Sequence, residues 1–318
     1  MSGQGAIPLV AVIATGGTIA SRRGADGAST PSLSGEDLLA LVPQITARLK
    51  PVDLMAKDSS SLTLADMQRI SDAVGVELND SAVAGVVILH GTDAMEESSL
   101  LVHLQHAITK PVVFTGAQFT ADHPNADGPA NLARAIETAL DQANAERGVL
   151  LSFGGRCLPV WGLYKRSADA ADAFRSARPA AAHAAAMDLA APVAGLRVDI
   201  VAIYPGCDAA HIEASLQAGA DGIVLAALGS GNANPGIAVA VKRCAERRVP
   251  VVVSSRVPEG LLVASYGGGG GGHDLVAAGA VHSSTLRPGQ ARILLAALLA
   301  NKSPAETIVS AFGESLSH

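Results

Sequence analysis

Along the chain, short apolar runs alternate with segments of mixed polarity. Seven runs stand out: "PLVAVIA", "AGVVILHG", "PVVFTGA", "RGVLLSFGG", "VDIVAIYPG", "ADGIVLAALGSG" and "VPVVVSSR". They lack the apolar–polar alternation of a strand with one wet face. Such runs suit parallel strands covered on both faces. Between them, "GPANLARAIETALDQANAE", "AHIEASLQAGA" and "GIAVAVKRCAERR" carry helical patterns. Strand–helix–strand alternation predicts a parallel α/β sheet. The rhythm breaks over residues 177–195, which are Ala-rich, contain Pro179 and Pro192, and lack a strand. This predicts a larger N-terminal α/β domain over 1–195, including that linker, and a smaller C-terminal α/β domain over 196–318. The run "GGGGGG" at 267–272 predicts a flexible loop on composition alone.

Composition narrows the class. The 318 residues suffice for a large core and about two domains. Hydrophobic residues make up 49% and charged residues 16%, yet no apolar run reaches the roughly 18 residues of a membrane span. The formal charge of −6, with no basic block, argues against a nucleic-acid surface. The start, "MSGQGAIPLV", has no basic n-region or cleavage pattern, which predicts a cytoplasmic chain. Three scattered cysteines, Cys157, Cys207 and Cys244, fit neither a disulfide framework nor a zinc knuckle and read as small hydrophobes.

In open parallel sheets, ligands bind beyond the carboxyl ends of the strands. The residues following the runs therefore carry the candidate chemistry. After the first comes "ATGGTIAS", residues 14–21. It has neither the Lys-Ser/Thr of a phosphate loop nor the glycine spacing of a dinucleotide fingerprint. Its bland reading is a tight turn with glycines at positive φ and Thr18 capping a helix. After the second run comes "HGTDAMEES", residues 90–98, where Asp93 and Glu96 are spaced for a capping-box-like helix start. The same stretch presents a threonine hydroxyl beside a carboxylate. Glu96, Glu97 and His90 read as supporting or surface residues. Lys165 in "GLYKRSADA" is ordinary alone; beside Thr92 and Asp93 it completes a Thr–Lys–Asp relay. Threonine needs a neighbouring base, and lysine serves as one only when burial or charge depresses its pKa from about 10.4. "FTGAQ" offers the backbone carbonyls of Gly116 and Ala117. "KDSSSLT" offers Asp58 and the hydroxyls of Ser59, Ser60 and Ser61, which suit a carboxylate ligand or form an ordinary polar turn.

Taken together, these stretches resemble the bacterial-type L-asparaginase family. The matches are "ATGGTIAS", "HGTDAMEES", "KPVVFTGAQ", "ADGPANL", "RGVLLSFGG", the lysine of "YKRSADAADAF", "ADGIVLAALGSGN", "SSRVPEG" and "ARILLAALL", in the family's order and over nearly the whole chain. The resemblance implies a flavodoxin-like N-terminal sheet and a homotetramer built from intimate dimers. Each active site would lie between one subunit's N-terminal domain and its neighbour's C-terminal domain, with no metal or organic cofactor. By the same resemblance, Thr18 is the primary nucleophile for the side-chain amide of L-asparagine, giving an acyl-enzyme. Thr92, Asp93 and Lys165 form the second triad. Ser59 grips the substrate α-carboxylate and Asp93 the α-ammonium. The Ala117 carbonyl accepts from the leaving amide nitrogen, and Asn232 of the neighbouring subunit lines the site.

Three departures accompany the match. Many members carry a tyrosine on the loop after the first motif, and "SRRGADGASTPSLSG" has none; Ser29 or Thr30 falls near its place. Ser60 stands where some members bind the α-amino group through glutamine. "YGGGGGGHD" lacks the glutamate that some members bring from the neighbouring subunit. The alternatives to an asparagine amidohydrolase are a glutaminase-asparaginase of broad specificity, a non-catalytic amino-acid-binding protein on the same fold, and an amidase subunit passing ammonia to a charged tRNA. The acidic charge argues against the last.

Overall fold

The computed structural model describes residues 7–24, 29–31, 34–40, 42, 45–177 and 187–313. The chain divides into two compact units, residues 1–188 and 189–318. In the first, β1 (Leu9–Gly16) leads through a short 3-10 turn, Thr18–Ala20, into the hairpin of β2 (Ser21–Arg23) and β3 (Ser29–Pro31). There follow α1 (Gly35–Ala40), β4 (Arg48–Lys57), α2 (Leu64–Asn79), β5 (Val83–Leu89), α3 (Met95–Gln105), β6 (Val112–Thr115), α4 (Gly128–Leu140) and β7 (Val149–Phe153). Three short strands close the unit: β8 (Arg156–Pro159), β9 (Leu163–Lys165) and β10 (Phe174–Ser176).

The main sheet has the order β4-β1-β5-β6-β7-β8, parallel except for β8. Its five parallel strands thus follow the flavodoxin-like order, which reverses direction next to β1. Both faces are covered, as the unalternating apolar runs predict. Ala11, Ile13, Val86, Ile88 and Phe114 pack against Ile70 and Val74 of α2 and Met95 and Val102 of α3. The opposite residues, Val10, Val12, Val87 and Leu89, pack against Leu38 of α1 and Leu132 and Ile136 of α4. The mixed segment "RLKPVDLMAK" forms β4, a strand the hydrophobic pattern does not announce. It is the sheet's edge, so it stays half exposed and tolerates Pro51.

The second unit contains β11 (Val198–Ala202), α5 (Ala210–Gln217), β12 (Gly222–Ala227), α6 (Pro235–Glu246), β13 (Val251–Ser255), α7 (Gly272–Ala277), β14 (Val281–His282), α8 (Pro288–Ala300) and α9 (Ala305–Phe312). Its four parallel strands run β11-β12-β13-β14. Ile223 and Leu225 pack with Ile212 of α5, Ile237 and Val241 of α6 and Leu275 of α7. On the other face Gly222 lets Leu295 of α8 approach the sheet.

The glycine run is not a flexible loop in this fold. Asp274 accepts from the backbone N–H groups of Gly269 (2.7 Å) and Gly271 (3.0 Å), and the Gly270 carbonyl accepts from Ala233 N–H at 2.8 Å. A Cβ on Gly270 would stand 2.5 Å from the Asn234 backbone, and one on Gly271 would strike the Tyr266 carbonyl. Composition suggests freedom throughout; packing removes it at Gly270 and Gly271. Of the expected linker, residues 178–186 lie outside the described residues. No helix among the described residues is long and apolar enough to cross a membrane.

Candidate active site

The reversal of strand order puts the carboxyl ends of β1 and β5 side by side, and the two specific motifs follow those strands. Glycine makes their contact close. A Cβ on Gly17 would lie 2.5 Å from the Gly91 Cα, and one on Gly91 would lie 2.5 Å from the Ser59 hydroxyl. The turns bearing Thr18 and Thr92 therefore meet backbone to backbone, and the Ser59 side chain packs directly on Gly91. Gly17 also holds a φ of 81°, a conformation open to glycine at little cost.

Within "ATGGTIAS" the two threonines part company. Thr15 is buried and donates to the Leu89 carbonyl at 2.8 Å, tying β1 to β5. Thr18 opens the 3-10 turn and is half-buried. It is not a helix cap: Gly17 holds that position. The capping-box reading of Asp93 and Glu96 also fails, because α3 starts at Met95 with Ala94 as its N-cap and no side-chain cap bond. Both carboxylates face Lys165 instead.

Lys165, the last residue of β9, donates from Nζ to Thr92 Oγ1 and to Asp93 Oδ1, each at 2.8 Å. Its backbone N–H donates to Glu96 Oε2 at 2.7 Å. The first turn of α3 and the residues before it thus hold the lysine by both main chain and side chain. Asp93 remains largely exposed, whereas Thr92 is buried and the lysine side chain mostly covered. Desolvation pushes the Glu96 carboxyl up to about 7; Glu97 adds repulsion, and the Lys165 N–H and charge work against both. His90 is fully buried, and desolvation lowers its pKa to about 4, so the ring is neutral at pH 7; its Nδ1 lies 2.7 Å from the Gly91 carbonyl oxygen.

Ser59 is buried, and its Oγ accepts from the Asp93 N–H at 3.1 Å, leaving its own proton to donate elsewhere. Ser60, beside it on the 3-10 turn Ser59–Ser61, is exposed. Ala117 is buried in the turn after β6. That turn abuts the first motifs: a Cβ on Gly116 would strike the His90 carbonyl, and one on Gly128 would meet Ile19 Cγ1 at 2.9 Å and Ala117 Cβ at 3.4 Å. Thr18, Ser59, Ser60, Thr92, Asp93, Ala117 and Lys165 all belong to the first unit. Asn232 lies in the second, where its Oδ1 accepts from Gly272 N–H at 3.1 Å. Ser29 lies on β3, paired with Arg23 of β2.

Sequence reasoning leaves three site-holding residues without their part: Glu96, Asp127 and Asn131. Asp127 precedes "GP" and holds the N-cap position of α4, but its side chain makes no cap bond. Its carboxylate accepts from the backbone N–H groups of Gln118 and Phe119. Nothing in the local pattern distinguishes a capping aspartate from one reaching another turn.

A hydroxyl, an amine and a carboxylate gathered at the switch point of a flavodoxin-like sheet define an α/β protein with a site of the kind used in acyl transfer. Comparison with known proteins agrees. The sequence matches the family described as Asparaginase, N-terminal over residues 9–190 and the Glutaminase/Asparaginase C-terminal domain over residues 197–312. It is 33% identical over 309 residues to the probable L-asparaginase of Deinococcus radiodurans, covering 92% of this chain and 93% of that one. It is 30% identical over 335 residues to L-asparaginase 2 of Escherichia coli, covering 97% and 94%. The fold superposes on the crystal structure of the probable cytoplasmic L-asparaginase of Campylobacter jejuni with a TM-score of 0.85 and 26% identity, over 96% of this chain and 99% of that one. The chain belongs to the asparaginase family.

Proposed function

We propose that this protein hydrolyses L-asparagine to aspartate and ammonia, with Thr18 as nucleophile. The Lys165 amine bonded to both Thr92 and Asp93, beside the turn of Thr18, is the observation that carries the reading. The Thr18 oxygen attacks the side-chain amide carbon. The carbon–nitrogen bond breaks, and the threonine proton goes to the departing nitrogen, giving ammonia and an ester to Thr18. Water then cleaves that ester and restores the hydroxyl. Because Thr92 Oγ1 accepts from Lys165, its own proton points elsewhere, toward the amide or the attacking water. Ser59 binds the α-carboxylate, Asp93 the α-ammonium, and the Ala117 carbonyl takes an N–H of the leaving amide; Ser60 flanks the α-amino group.

The chain assembles as a homotetramer in the cytoplasm, where Asn232 of one copy lines a neighbour's site. The likeness to a probable cytoplasmic relative supports the location. The test is ammonia release measured across L-asparagine, L-glutamine and D-asparagine. L-asparagine should be the best substrate. Equal rates on glutamine would instead establish the broader glutaminase-asparaginase. Aspartate binding by calorimetry without ammonia release would establish a binding protein. Thr18→Ala should lower turnover at least about 1,000-fold, as loss of a nucleophile does; near-normal turnover would remove Thr18 from this role.

A further inference from the structure

The loop between β6 and α4 carries a polar network that the reaction above leaves unused. The Asp127 carboxylate accepts from the Gln118 N–H through Oδ1 at 3.1 Å and Oδ2 at 3.0 Å, and from the Phe119 N–H at 3.0 Å. It also accepts from Asn131 Nδ2 at 3.0 Å. That same nitrogen donates to the Gly116 carbonyl at 3.0 Å, and Asn131 Oδ1 accepts from the Gly154 N–H at 3.2 Å. Asn131 is buried. Together the two side chains tie the ends of β6 and β7 to the first turn of α4.

The bond to Gln118 has a consequence one atom group away. A peptide unit is planar, and in the trans form its N–H and C=O point in opposite directions; no peptide bond among the described residues is cis. The N–H of Gln118 and the C=O of Ala117 belong to the same peptide unit. Fixing one on a carboxylate therefore aims the other away from it. The preceding carbonyl, of Gly116, is held separately by Asn131. Among the described residues none donates to the Ala117 carbonyl. A charged acceptor on the N–H side also polarises the amide and strengthens the oxygen as an acceptor.

We infer that Asp127 is a positioning residue that orients the Ala117 carbonyl toward the leaving group of the substrate, so that the site favours an amide, which has an N–H to give, over an ester, which has none. The inference rests on the proposed amidohydrolase reading. It predicts selective damage. Without Asp127, the Ala117–Gln118 peptide is free to rotate, and the amide loses its acceptor. A methoxy leaving group forms no such bond and has nothing to lose.

The experiment compares L-asparagine with the β-methyl ester of L-aspartate in the full-length wild type and in Asp127→Ala and Asp127→Asn. Both substrates give the same acyl-enzyme, so kcat/KM isolates the step that differs. Asp127→Ala should lower kcat/KM for asparagine about tenfold, the worth of one well-made hydrogen bond, and change that for the ester by less than about threefold. In Asp127→Asn a single carbonyl oxygen must serve both backbone N–H groups, and the new amine faces Asn131 Nδ2. Its amide-to-ester ratio should fall in the same direction by a smaller factor. Wild type that releases no ammonia would sink the parent reading by itself. An active wild type with amide and ester rates falling in parallel, or with an unchanged ratio in whichever variant folds, overturns the role of Asp127.

Discussion

Lys165 is held at three points, and each hold has its own consequence. The bonds from Nζ to Thr92 and Asp93 set the reactive geometry. Lys165→Met keeps much of the stem and removes the amine. It should leave the protein folded and reduce ammonia release by two orders of magnitude or more, in the range set by loss of a general acid–base group. The third hold, Glu96 on the lysine N–H, acts on stability. Its carboxyl titrates near 7 in the fold, against an ordinary value of 4.5, because burial disfavours the charge. Below pH 4.5 the group is protonated in both folded and unfolded chains. Between about 4.5 and 7 the unfolded chain binds fewer protons, so stability falls as pH rises. Glu96→Gln keeps an acceptor and cannot ionise. Its melting temperature, followed from pH 4.5 to 8, should lose the downward slope that wild type has; identical slopes would show that Glu96 ionises freely.

At the scale of elements, similar sequence features are put to different uses. Thr63 and Asp66 form a true capping box at the start of α2: the Thr63 hydroxyl accepts from Asp66 N–H, and the Asp66 carboxylate accepts from Thr63 N–H at 3.0 Å. A bond from Lys57, then that from Thr63, holds the Asp66 carboxyl at about 2, below its ordinary 3.8. The stability it contributes is present above about pH 3.8 and is lost as pH falls through 2. Thr63→Ala should cost about 1 kcal/mol in denaturant unfolding, the usual worth of a cap. The hexaglycine run offers a contrast within six residues. A Cβ on Gly267 meets nothing nearer than Asp274 Oδ1 at 3.8 Å, whereas one on Gly271 strikes the Tyr266 carbonyl. Gly271→Ala should destabilise by about 1–3 kcal/mol, as overpacking against fixed atoms does, and Gly267→Ala by less than about 0.5 kcal/mol. Equal effects in urea titration would mean that the run is as loose as its composition suggests.

The whole molecule comprises two α/β units, each with its own core. The proposed tetramer predicts a light-scattering mass near four times the 32.0 kDa chain. A monomer retaining full turnover would exclude any need for Asn232 from a neighbouring copy. The sequence by itself determined the parallel strands β1, β5, β6, β7, β11, β12 and β13, because strands in a covered parallel sheet are mostly apolar and stand out as runs. It also determined the glycines and threonines of the two motifs, because their residue types are required locally. It did not announce β4, whose exposed edge relaxes the demand for apolar residues. Tertiary structure alone decided that the Thr15 hydroxyl ties β1 to β5, since the Leu89 carbonyl it bonds lies 74 residues away. It alone turned Glu96 from half of an expected capping box into a holder of Lys165, and gave Asp127 its part in holding the Ala117 turn. A carboxylate's partner is set by which turns the fold brings within about 3 Å, and for these two the partners lie on other elements: Lys165 on β9, and Gln118 in the turn after β6.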